Sequence, residues 1–85
     1  MDDKKQAKIM RRVETRSVEA SLKNYAGEMA LFMATAMEKM GKIKYSIMLK
    51  DDARNNFKQA LDFDPTYKRA KENFSKLVMG VPMTL

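Results

Sequence analysis

The stretch DDARNNFKQALDFDPTYKRA, residues 51–70, sets Ala53, Phe57, Ala60 and Pro65 apart by four, three and five positions. The first three share one face of a helix, because residues three and four apart are neighbours there. Two alanines let a partner helix approach closely, and Phe57 between them fills the space they leave. Pro65 has a fixed φ and no amide proton, so it redirects the chain. The spacing predicts a packed helix with Ala53, Phe57, Ala60 and Leu61 as its buried face. Asp51 or Asp52 is expected to cap that helix, and Asp64 followed by Pro65 to open the next one.

Helical periodicity extends in both directions. Upstream, Leu22, Ala26, Met29, Met33, Ala36, Met40, Ile43 and Ile47 step by four and three alternately, which predicts one continuous apolar helix face ending at LKDD. Gly27 costs about 1 kcal/mol in a helix interior relative to Ala, so it marks either a break between two helices or a close-contact point inside one, and a break or bend near residues 24–28 is the favoured expectation. Further upstream runs a modest row of Ile9, Met10, Val13, Val18, Leu22 and Tyr25, with Asp2 and Asp3 suited to a helix start. Downstream, Tyr67, Ala70, Phe74, Leu77 and Val78 mark a helix over about 66–79, stopped by Gly80 and Pro82. No strand-type alternation bounded by turn residues appears. The expected fold class is all-α, an antiparallel packing of helices as short hairpins or as a generic bundle.

Composition narrows the chemistry. The 85 residues are 45% hydrophobic and 33% charged, with three Gly and two Pro, a globular balance rich in helix formers. With no Cys there is no disulfide scaffold, thiolate metal site or cysteine nucleophile. With no His the commonest general base and transition-metal ligand is missing. The expectation is a non-enzymatic protein with no cofactor and no metal. The start MDDKKQAKIMRR has acids and no apolar core, unlike a secretory or transit signal, and no window is apolar enough to span a membrane. A cytoplasmic location is expected.

The spacing at 53, 57, 60 and 65 resembles a tetratricopeptide repeat, a 34-residue helix–turn–helix unit with Gly in its first helix, A-x3-F in its second and a closing Pro. In that register Leu61 and Asp64 also fit, Gly41 takes the small position of the first helix, and Met40 the large apolar one before it. The resemblance implies a repeat over residues 34–67, a closing helix over 68–79 that packs through Ala70, Phe74, Ser75 and Leu77, an N-terminal helical extension over 1–33 and a tail at 80–85. It covers about half of the chain. Met37 stands where Trp is frequent, Lys44 where Tyr packs, with Tyr45 one place late, and Met48 where the turn usually has Gly. Solenoids usually need three repeats, so the missing burial must come from residues 1–33 or from another subunit, and self-association as a homo-oligomer is expected.

The resemblance also implies a partner-binding groove for a protein segment, peptide or helix, lined by Glu38, Lys42 and Tyr45 on the first helix and Arg69, Asn73 and Lys76 on the closing one. Lys42, Asn73 and Lys76 would imitate part of the family's carboxylate clamp, although Lys42 stands where the clamp uses Asn. In the methionine row Met29, Met33, Met37 and Met40, the last two are expected in the core, whereas Leu22, Met29 and Met33 are candidates for a subunit interface. Lys4, Lys8, Arg12 and Arg16 step by four along one helix face, an alternative stripe for nucleic acid or an anionic surface; the facing side is too weakly apolar for a membrane helix. A structural subunit of a larger complex is a further alternative. The net charge of +6 is dispersed along the chain. The pairs Asp51/Asp52 and Asp62/Asp64 lack the spacing and Gly of a calcium loop.

Overall fold

The computed structural model describes residues 3–79, with side chains from residue 15 onward. It contains three helices, α1 (Asp3–Lys39), α2 (Ile43–Phe63) and α3 (Lys68–Val78), and no strand among the described residues. The protein is all-α. Gly80 and Pro82 lie outside the described residues.

α1 is one helix, so the break expected near 24–28 is absent, and it runs across the expected boundary between residues 33 and 34. It stops instead at Met40-Gly41-Lys42. There the Lys42 N–H donates to Met37 C=O at 2.8 Å and the Gly41 N–H to Glu38 C=O at 3.0 Å. Gly41 has φ 77°, the left-handed conformation that ends a helix in this doubly hydrogen-bonded way and that glycine adopts without steric cost. Gly41 is therefore a terminator, not a small residue within a helix. α2 then passes straight through LKDD. Asp51 and Asp52 sit inside it rather than at its start, with Asp51 accepting from Arg54 at 3.3 Å.

The α2–α3 connection also differs from the helix start expected there. Asp64 Oδ1 accepts from the Thr66 N–H at 3.0 Å and the Thr66 hydroxyl at 2.6 Å, while Tyr67 N–H donates to Asp64 C=O at 3.1 Å. Asp64 thus organises a turn with Pro65 in its second place, where the locked φ suits it, and α3 begins three residues later than Pro65, at Lys68.

The first two helices are antiparallel. Glu38 meets Ser46 and Lys50 beside the turn, Gly27 faces Phe57 midway, and Ala20 clusters with Ala60 at the far end. α3 closes the hairpin through Ala70, with Phe74 and Leu77 packed on the cluster of Ala30, Leu31, Ala53 and Phe57. Ser75, expected among the packing positions, is exposed.

The packed face of α1 consists mainly of small residues: Ala20, Asn24, Gly27, Ala30, Leu31 and Ala34. The apolar row read from the periodicity is turned outward: Met29, Met33, Ile43 and Ile47 are exposed. Of the two methionines expected in the core, Met40 is exposed and Met37 half-buried. Small side chains win because they let the α2 backbone come close enough for Phe57 to fill the gap. A Cβ built on Gly27 would lie 2.5 Å from Phe57 Cε1. The ring is fully buried, and its surroundings leave it little room to retreat.

This contact predicts a reversal of sign. Gly27→Ala should destabilise the chain by about 1–3 kcal/mol through overpacking, although Ala is the better helix former by about 1 kcal/mol. In a Phe57→Ala background the same change should be neutral or stabilising. Urea denaturation of the four species in this double-mutant cycle measures it.

Candidate functional site

Where α3 meets α1, four polar side chains form one network. Asn24, 3% exposed on the packed face of α1, donates from Nδ2 to Glu28 Oε1 at 2.7 Å. Asn73 Nδ2 of α3 donates to Asn24 Oδ1 at 3.0 Å and to Glu28 Oε1 at 3.3 Å. Arg69 Nη2 donates to Glu28 Oε2 at 2.8 Å, and its Nε lies 2.7 Å from Oε1, a two-point grip on the carboxylate. This pairing holds the Arg69 guanidinium above its usual pKa. The spacing 69/73 on α3 and 24/28 on α1 places each pair one helical turn apart, so the two i,i+4 ladders meet in register.

A second polar contact pins the turn end. Glu38 accepts from Lys50 and from the Ser46 hydroxyl, the latter at 2.9 Å, and Ser46 is almost wholly buried. Lys50 and then Ser46 hold the Glu38 carboxyl below its usual pKa.

These contacts decide where the expected groove residues lie. Arg69 and Asn73 converge on Glu28, while Glu38 stands ten residues farther along α1, about 15 Å at 1.5 Å per residue. Three of the six side chains are thus engaged in holding the helices together. Lys42 and Tyr45 are exposed beside the turn, and Lys76 is exposed on the outer side of α3 with Lys68 and Lys71. The clamp residues Lys42, Asn73 and Lys76 are consequently split between the turn end, the α1–α3 contact and the outer side of α3. Leu22, Met29 and Met33 are all exposed on α1. Arg16 of the basic stripe is exposed, whereas the side chains of Lys4, Lys8 and Arg12 lie outside the described residues.

Ile43 and Ile47, absent from the expected site residues, are displayed on the surface. Ile43 lies eighteen residues before Leu61, five full turns, and hence on the face of α2 that packs Leu61 under Ala70. α3 is too short to cover that face along its whole length: it has 11 residues against 21 in α2. Ile43 and Ile47 are 54% and 57% exposed, and Val78 and Met79 at the end of α3 are exposed as well. The signal in the sequence was the length mismatch between the helices, which becomes readable only once the turn is placed at Gly41. Among the described residues no helix is long and apolar enough to cross a membrane, and no group of His, Cys, Asp or Glu is placed to hold a metal.

Asn73→Ala should leave the buried Asn24 oxygen without its inter-helix donor and cost about 1–3 kcal/mol, with α3 amides losing hydrogen-exchange protection first. The Glu38 contact should be sensitive to acid. A carboxyl whose folded pKa is lowered contributes stability above its unfolded pKa and loses it as pH falls through the folded one. The difference in melting temperature between the wild type and Glu38→Gln should therefore be largest at neutral pH and shrink on acidification below the ordinary carboxylate range.

No protein-family model matches the chain, and no curated protein and no solved structure is found to be significantly similar to it.

Proposed function

We propose that this chain is a non-enzymatic protein–protein interaction module, an adaptor, assembly factor or small chaperone, built as a tetratricopeptide-like hairpin with a closing helix. The observation that carries the reading is the uncovered part of the α2 face, Ile43 and Ile47, beyond the end of α3. An apolar row at one-turn spacing, flanked by Lys42 and Tyr45, suits a short helix or extended segment whose apolar side chains enter the row and whose acidic groups meet Lys42. The likeness to the repeat family is supported by the Gly27–Phe57 contact. Gly27 lies fourteen residues before Gly41, so it takes the small position of the first helix if each arm is seven residues, about two turns, longer than in the family. The whole-turn extension preserves which faces meet. A third arm follows, as a closing helix does.

Replacing Ile43 and Ile47 with Ser should leave helical content by circular dichroism unchanged. The same change should abolish protein partners that crosslink through Lys42 or Lys44 in a pull-down from the native host. Capture unaffected by the double substitution would refute the groove. If instead the wild-type chain binds DNA, RNA or anionic vesicles with steep salt dependence, and the substitutions change nothing, the basic stripe replaces this reading.

A further inference from the structure

α1 carries a second apolar stripe on the side turned away from α2 and α3. Val18, Leu22, Tyr25, Met29 and Phe32 are between 41% and 64% exposed, and Ala36 continues their line. Each stands two residues from a packed one: 18 and 22 from Ala20, 25 and 29 from Gly27, 32 and 36 from Ala34. Two residues are about 200° of helix, so the stripe lies opposite the packed face. Its steps of four, three, four, three and four follow the 3.5-residue period of a coiled-coil seam, and no charged residue interrupts it. Nothing else among the described residues covers it.

We infer that the occupant is a second copy of this chain, joined back to back through α1 with the two helices antiparallel about a twofold axis at the level of Gly27. The seam is complementary to its own reverse. About that axis Val18 meets the partner copy at the level of its Ala36, Leu22 at its Phe32 and Tyr25 at its Met29, with every contact made twice as a twofold axis requires. Each layer sets a larger side chain against a differently shaped one, and Tyr against Met is a favourable sulfur–aromatic pairing. A parallel pairing would instead stack Tyr25 on Tyr25 and Phe32 on Phe32, and would lay the two basic N-terminal segments side by side.

Area points the same way. Aromatic and long aliphatic residues offer roughly 150–250 Å² each, so these exposures with those of Met33 and Met40 leave on the order of 700–800 Å² of apolar surface per copy, close to one partner's share of a stable interface. That exceeds the few hundred Å² a monomer usually displays. Among the described residues the hairpin meanwhile buries just one large apolar side chain completely, Phe57. The seam lies on α1, away from Ile43 and Ile47, so it stands or falls independently of the groove.

Because the register pairs Tyr25 with Met29 across the axis, a charge exchange tests it. Sedimentation equilibrium of the full chain should give the mass of a dimer. Tyr25→Glu and Met29→Lys, each alone, should halve that mass or weaken the dimer at least tenfold. Mixing the two variants should restore it, because the acid of one then meets the base of the other at one layer while Tyr and Met pair at its mate. If either variant unfolds when its dimer is lost, recovery of helicity on mixing reads the same pairing, and the milder Leu22→Gln should weaken the dimer without unfolding the hairpin. A wild-type monomer would overturn the proposal. So would a dimer indifferent to all three substitutions, or variants that fail to complement each other.

Discussion

The structure depends on the absence of one carbon atom. With no Cβ at Gly27, the Phe57 ring rests on the backbone of α1, and from that contact follow the close approach of the two helices and the small side chains at Ala20, Ala30, Ala34, Ala53 and Ala60. A hairpin packed this closely has a thin interior. It gains contact by proximity of backbones rather than by volume of side chains, and Phe57 is its main filling. The same choice drives the large residues of α1 outward, since a helix whose packed face is small must place its Leu, Met and Phe elsewhere. Core and surface are two results of one steric decision.

Polar groups complement this packing where apolar ones cannot specify position. An alanine surface tolerates sliding, because neighbouring positions along it are nearly equivalent. The Asn24–Glu28–Asn73–Arg69 network removes that freedom: shifting α3 by one turn would leave the oxygen of the nearly buried Asn24 without its donor, Asn73. Glu38, Ser46 and Lys50 act similarly at the turn. Three of the side chains that a groove would have used for recognition, Glu38, Arg69 and Asn73, are thereby committed to fixing the helices.

Legibility in the sequence followed the range of the interactions. The face formed by Ala53, Phe57 and Ala60 was readable because it lies within one helix and its period is local. The turn at Asp64 and Pro65 was readable because turn chemistry is local too, though it postponed the helix rather than starting it. The first arm was misplaced because two glycines competed for two roles. Propensity alone makes Gly27 look like a break and leaves Gly41 inside a helix, whereas the structure assigns them the reverse. Only the ring of Phe57, thirty residues from Gly27, distinguishes them. Periodicity likewise cannot choose between two apolar stripes on one helix. The stripe with the larger residues has the stronger signal, yet packing against a bulky partner ring selects the smaller ones. Leu22, Met29 and Met33 were legible as apolar and aligned, but which way they face depends on α2.

The way α3 is held has a kinetic side. Its contacts with α1 join residues 41 to 49 positions apart, and its apolar side chains rest on clusters contributed by both other helices. The surface it needs therefore exists only after α1 and α2 have closed on each other, an event between adjacent helices with a short connection and a low entropic cost. Folding order is written into the topology: hairpin first, third helix last. By the same logic α3 should detach before the hairpin beneath it opens during native-state fluctuations. Each such excursion bares Leu31 and Phe57 without unravelling the pair beneath.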